Sequence, residues 1–184
     1  MDRRRPRPRS RLPLHRPGRT RLRGALRGRP LRAGIVEARR ANWQYLRRGL
    51  ADLEHFFEFS LPTHATGWTA EGFEWADASP RANPSWFGFM LRLKPAAPFK
   101  RVEFVEYLSE NKIGNRMLFG GNLVRQPVFV QLKQERPKSF RVMGNLSGAD
   151  ALMNEAVFVG TYPGLTQAML DYIIERIHAF VAKH

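Results

Sequence analysis

The sequence predicts a small α+β domain with a short sheet covered by helices on one face, preceded by a head that does not join it. Three observations predict this. Two stretches near the ends of the ordinary-looking part, 36–53 and 165–181, carry apolar residues at helical spacing. Between them lie short runs dense in aromatic and β-branched residues, which suit buried strands. With 43% hydrophobic and 11% aromatic residues among 184, the chain can bury one core.

The net charge of +15 is concentrated in the head. Residues 1–34 hold 13 of the 31 Lys and Arg and one of the 16 acidic residues, a net of +12, which leaves +3 for everything from Ile35 onward. This head is Arg, Pro, Gly and Leu with little else; its prolines block helix and its apolar residues keep no period, so disorder is expected. Several readings compete for it. A basic arm could neutralise nucleic-acid phosphates and fold on binding. An Arg-rich, acid-poor start also resembles a transit peptide, although the prolines spoil the amphipathic helix. Every positive charge is Arg and none is Lys, which is what a GC-rich gene yields when read out of frame or from a misplaced start. The head is therefore expected to be non-native as readily as functional, with the globular domain spanning 35–184.

From Ile35 the texture changes. Val36, Trp43, Leu46, Leu50 and Leu53 fall on one stripe of a helix, with Arg40, Gln44, Arg47 and Arg48 largely on its solvated side. Residues 61–84, rich in Pro, Gly, Ala and Thr, read as a long irregular connection. SWFGFMLRLK (85–94) reads as a buried strand stopped by Pro95 and Pro98. A second helix follows from Phe99, with Val102, Val105 and Leu108 on one face and Gly114 as its left-handed cap. SFRVMGN (139–145) and AVFVG (156–160) are short strand candidates, and the segment between them can hold a short helix. A last helix is capped by Thr166, with Leu165, Met169, Ile173, Ile177, Phe180 and Val181 as its apolar stripe.

Several function classes are excluded or left without support. There is no cysteine, hence no disulfide, cysteine nucleophile or thiolate-bound metal in these residues. No apolar run approaches 18 residues, so no membrane span is expected, and a cytoplasmic location fits. GxGxxG, GxxxxGK[ST], HExxH and GxSxG are all missing, and the five histidines show no metal-like spacing.

What remains is ENKIGNRMLFGGNLVRQP, Glu110 to Pro127. Arginine offers a planar fork of donors suited to phosphate or carboxylate, and asparagine adds donors and acceptors suited to sugar hydroxyls. Gly120-Gly121 allows a sharp turn and close approach to a ligand. Such a loop can bind a phosphorylated sugar, or it can be a glycine turn whose side chains satisfy its own backbone.

SWFGFMLRL, ENKIGNRMLFGGNLVRQP and GTYPGLTQAMLDYIIERI, in that order, resemble the C-terminal domain of the sugar 3-dehydratases of the DegT/DnrJ/StrS aminotransferase superfamily. The group most similar is the lipopolysaccharide-biosynthesis CDP-4-keto-6-deoxyglucose 3-dehydratases. The likeness runs from about Gly34 to His184 and does not extend to residues 1–33. It implies the small C-terminal domain of a fold-type-I pyridoxal-phosphate enzyme, whose members are homodimers acting on nucleotide-linked 4-keto-6-deoxy sugars with pyridoxal or pyridoxamine phosphate. CDP-sugar members add an iron–sulfur cluster and a reductase partner. The cofactor site and the catalytic histidine belong to the family's large domain, so the resemblance implies no catalytic or metal-binding residue here and no activity for this chain alone. It places Arg116 and Asn122 toward substrate or cofactor, with Phe119 shaping the wall and Arg125 as a further candidate. Asn115 stands where the family is expected to have threonine, Gly120 where alanine is common, and AVFVG where the family is more aromatic. The alternative from a different class, a small basic nucleic-acid-binding protein, rests only on the composition of residues 1–34; a functionless gene remnant is the third.

Overall fold

The computed structural model describes residues 29–69, 72–76 and 84–184. The readings of the Arg-rich head therefore fall mostly outside the described residues, with one correction at its end. Helix α1 spans Arg29–Gly49, beginning six residues before the expected boundary.

The helical stripe on α1 buries as its spacing requires. Trp43, Leu46 and Leu50 are at most 2% exposed, and Leu53 follows them inward from a short 3-10 turn. Arg47 departs from expectation. It lies four residues after Trp43, on the apolar face, and is buried with its guanidinium 4.8 Å from the centre of the Phe59 ring and paired with Glu54.

Four strands form an antiparallel sheet in the order β1-β4-β6-β5. β1 (Phe57–Phe59) escaped the sequence reading because three residues carry too little period to be seen. β4 (Gly88–Leu93) is the expected strand, and β6 (Ala156–Gly160) the expected AVFVG strand. β5 is only Asn115–Arg116. Phe89 faces Val159 and Leu91 faces Val157, so one face of the sheet is aliphatic and aromatic throughout. That inner face packs under α1, α2 (Arg101–Glu110) and α5 (Gln167–Val181), in keeping with a short sheet covered by helices.

The stripes on α2 and α5 are corrected by one position each. On α2, Phe104 and Leu108 are fully buried while Val102 is 53% exposed. On α5, Leu170, Ile173, Ile177 and Phe180 point inward and Met169 outward. Thr166 caps α5 as expected, its hydroxyl accepting from the Met169 N–H.

Residues 61–84 are not wholly irregular. β2 (Ala65–Thr69) and β3 (Gly72–Trp75) pair as a separate two-stranded ribbon. Its Trp68 and Phe73 rings each lie 5.5 Å from the Trp43 ring, a long-range contact that no local period announces. α3 (Pro127–Glu135) starts at a proline whose missing N–H is harmless at a first helical position. Residues 139–145 form no strand, and Met143 is 65% exposed. α4 (Ser147–Glu155) then runs straight into β6.

Candidate functional site

The Glu110–Pro127 segment begins where α2 ends. Lys112, not Gly114, takes the left-handed conformation there, at φ 60°. The Ile113 N–H donates to the Leu108 carbonyl at 2.9 Å and the Lys112 N–H to the Ser109 carbonyl at 3.0 Å, the paired bonds of a Schellman cap. Ile113 is buried beneath them, which anchors the exit and delivers β5 to the edge of β6.

Pairing on β6 sets the side-chain directions. Asn115 stands opposite Val159 and donates to Ser109 Oγ and to the Ile113 carbonyl, so it serves the loop's own structure. Arg116 stands opposite Phe158, on the outer face of the sheet, and is exposed. Next the chain folds back sharply. Phe119 has φ 45° and Gly121 φ 58°, and the Gly121 N–H donates to the Leu118 carbonyl. A left-handed backbone costs an L-residue such as Phe119 about 1–2 kcal/mol. Its ring is nonetheless 76% exposed, leaning on Phe87 and Phe158 at centroid distances of 6.0 and 6.2 Å.

Asn122 and Arg125 are drawn to a residue that sequence reasoning missed. Asn122 is 3% exposed; its Oδ1 accepts from the Val124 N–H and its Nδ2 donates to Asp150 Oδ1 at 2.8 Å. Arg125 forks onto the same carboxylate through Nε and Nη2. The Arg125 guanidinium, with the Asn122 amide second, holds the Asp150 carboxyl at about 2, below its ordinary 3.8. Asp150 sits on α4, 25 residues beyond Arg125, and nothing local in the sequence links them. Gly121 lets this clamp close, because a Cβ there would lie 2.8 Å from Met153 Cβ of α4.

Two cavities flank Phe158 and share it as a wall. The larger, about 750 Å³, is bordered by Lys112, Arg116, Tyr162, Thr166, Met169 and Tyr172. The smaller, about 370 Å³, is bordered by Ser85, Trp86, Phe87, Met90 and Phe119. Arg116 and Phe119 thus border one cavity each, whereas Asn122 and Arg125 border neither and hold the turn between them. Trp86 is fixed from behind: the Thr161 hydroxyl donates to its carbonyl at 2.8 Å, and its ring stacks on Trp43 with 4.4 Å between centroids. Alternation would have placed Phe87 on the core face with Phe89, two residues on; it is 54% exposed instead because it stands just before β4 begins at Gly88.

Pyridoxal phosphate needs a phosphate cradle, a carboxylate for the ring nitrogen and a base beside the reacting carbon. Among the described residues neither cavity is bordered by a carboxylate or a histidine, so these walls do not by themselves form a cofactor site. Among the described residues no group of three or more His, Asp or Glu could hold a metal ion, and no helix is long and apolar enough to cross a membrane.

The DegT/DnrJ/EryC1/StrS aminotransferase family matches residues 33–178. The chain is 41% identical over 146 residues to the lipopolysaccharide biosynthesis protein RfbH of Salmonella typhimurium, covering 79% of this chain and 28% of that protein. It is 38% identical to the dTDP-4-dehydro-2,6-dideoxy-D-glucose 3-dehydratase of Saccharopolyspora spinosa, covering 27% of that enzyme. The chain thus spans between a quarter and a third of the curated relatives it matches. Among solved structures, the E. coli GDP-4-keto-6-deoxy-D-mannose-3-dehydratase with bound hydrated PLP is 22% identical with a TM-score of 0.59 over 78% of this chain and 31% of its own. An aminotransferase from Psychrobacter cryohalolentis is 13% identical with a TM-score of 0.60 over 85% of this chain and 37% of its own. At these identities the solved structures show the shared fold alone. The sequence match, which extends over most of the chain, shows that it belongs to the DegT/DnrJ/EryC1/StrS aminotransferase family.

Proposed function

We propose that this chain is the small-domain part of a pyridoxal- or pyridoxamine-phosphate-dependent 3-dehydratase acting on a nucleotide-linked 4-keto-6-deoxyhexose in lipopolysaccharide deoxysugar synthesis. It contributes the small-domain wall of the sugar-nucleotide pocket. One observation carries the reading: the Lys112–Gln126 turn gives Arg116 to one and Phe119 to the other of two cavities that share Phe158, in a chain 41% identical to RfbH over 146 residues.

Within that wall the residues divide by chemistry. Arg116, exposed beside Lys112 in the larger cavity, faces the diphosphate with a fork of donors. Phe119 shapes the wall of the smaller cavity. Asn122 and Arg125 keep the turn in register through Asp150, and Arg125 Nη1 is left to reach substrate. The cofactor and the catalytic histidine belong to the part of the relatives' length that this chain does not span. Homodimerisation, a cytoplasmic location and, for a CDP-sugar enzyme, an iron–sulfur centre with its reductase complete the proposal; the chain by itself is inactive. The nucleic-acid alternative gains no support from the described residues.

A chimera tests this. Residues 35–184 replace the matching part of the Salmonella relative, and dehydration of CDP-4-keto-6-deoxyglucose is followed. Retained turnover is expected. A chimera that folds and holds its cofactor but cannot turn over would sink the proposal.

A further inference from the structure

We propose that Asn42 and Thr161 are positioning residues for the substrate wall: a buried pair, one on α1 and one just past β6, that sets the two cavities against each other without bordering either. That the wall serves a substrate rests on the reading above; the bonding that fixes the wall does not.

The residues that face the cavities lie where regular strand pairing has stopped. The last pair of the β4–β6 ladder is Gly88 with Gly160. Trp86 and Phe87, in the wall of the smaller cavity, come before it, and Tyr162, in the wall of the larger, comes after it. Thr161 holds the first two. Its N–H donates to the Phe87 carbonyl at 3.0 Å and its hydroxyl to the Trp86 carbonyl at 2.8 Å. Asn42 holds the third, its Nδ2 donating to the Tyr162 carbonyl at 2.9 Å and, more weakly, to the Thr161 carbonyl at 3.5 Å. Both partners of that amide are acceptors, which assigns Nδ2 rather than Oδ1 to face them.

The core does not call for these groups. Asn42 is 8% exposed and Thr161 0%, and they are two of four buried polar residues among the described ones. Helix α1 is already anchored by Trp43, Leu46 and Leu50, so an aliphatic side chain at Asn42 would pack there with no amide to desolvate. What an aliphatic side chain cannot do is fix the backbone that carries the wall. Trp43 completes the grip, its ring stacked on Trp86 with 4.4 Å between centroids. From adjacent positions, α1 therefore holds Trp86 through a ring and Tyr162 through an amide, with Thr161 tying the two segments together. A shift in either bond moves Trp86 and Phe87 relative to Tyr162, and with them the spacing of the two cavities that meet at Phe158.

Three variants separate positioning from folding. Thr161→Val keeps the side-chain shape and the N–H bond to Phe87 and removes only the hydroxyl; Thr161→Ser keeps the hydroxyl; Asn42→Leu removes the amide. Each is made in the full chain, with the fold checked by circular dichroism. Acrylamide quenching of the Trp86 emission, isolated by difference against Trp86→Phe, is expected to rise about twofold in Thr161→Val and to return to the parent value in Thr161→Ser. In the Salmonella chimera, Thr161→Val and Asn42→Leu are each expected to raise KM for the sugar nucleotide roughly tenfold with kcat within about twofold, because a displaced wall weakens binding of substrate and transition state alike. Thr161→Ser restores KM. A loss of folding would instead lower the active fraction, and so kcat, with KM unchanged.

Three outcomes overturn the proposal: Trp86 quenching indifferent to Thr161→Val, KM unmoved by both Thr161→Val and Asn42→Leu, or Thr161→Ser no better than Thr161→Val. An inactive parent chimera sinks the proposed function alone, and quenching in the full chain then decides whether the pair sets the wall.

Discussion

Arg125 Nη2 donates to Asp150 Oδ2 at 2.6 Å, tying the turn after β5 to helix α4 across 25 residues of chain. Because the carboxyl is held at about 2 in the folded protein and lies near 3.8 when free, this pairing stabilises the fold above pH 4. The contribution is lost as pH falls from about 4 toward 2. Asp150→Asn is expected to lower the urea midpoint at pH 7 and to converge with the parent protein near pH 2. Parallel pH dependences for the two proteins would show that the pair contributes nothing.

The two adjacent glycines are expected to behave differently. Gly121 has φ 58° and faces Met153, so Gly121→Ala adds left-handed strain of about 1–2 kcal/mol and overpacking to match. At Gly120 a Cβ meets only the terminal methyl of Leu123, a flexible exposed side chain, and Ala is tolerated. Chemical denaturation of the two variants checks this, and equal midpoints would contradict it.

Lys112→Gly should stabilise the protein by about 0.5–1 kcal/mol, since the position is left-handed at φ 60° and glycine removes the steric penalty. Thermal unfolding reads the change. A lower midpoint would mean that the Lys112 side chain contributes more than its backbone strains.

Which face of α2 is buried can be read by truncation. Phe104→Ala is expected to cost about 3–5 kcal/mol and Val102→Ala within about 0.5 kcal/mol, their exposures being 0% and 53%. Similar losses from both would place the helix one residue out of register.

Tyr162, Met169 and Tyr172 are each at least 42% exposed around the larger cavity, beyond what a single free-standing domain ordinarily shows together. The isolated chain is expected to associate as its concentration rises. Light scattering that holds at the monomer mass of 21.2 kDa, with no binding of a hydrophobic dye, would contradict this.

Much of the fold was legible where period and caps agree. Trp43, Leu46 and Leu50 announced α1, Thr166 announced the start of α5, and the aromatic and aliphatic content of SWFGFMLRLK announced β4. The failures share a cause. β1 and β5 are three and two residues long, too short for a period, and exist because β4 and β6 offer them edges. The ribbon of β2 and β3 is held by aromatic contact with Trp43, and Arg47 is buried because the Phe59 ring and Glu54 receive it. The choice of Lys112 over Gly114 as the left-handed cap followed from where Ile113 had to be buried.

By itself the sequence determined the class of the domain, the order of its main helices and central strands, and the segment in which its polar chemistry is gathered. Those follow from local spacing and residue type, which are properties of neighbours along the chain. Only the tertiary structure decided that Asn122 and Arg125 turn to Asp150 while Arg116 and Phe119 turn to two cavities about Phe158. Ion pairing and strand register act between residues far apart in sequence, so they exist only once the sheet has closed and α4 has packed against the turn.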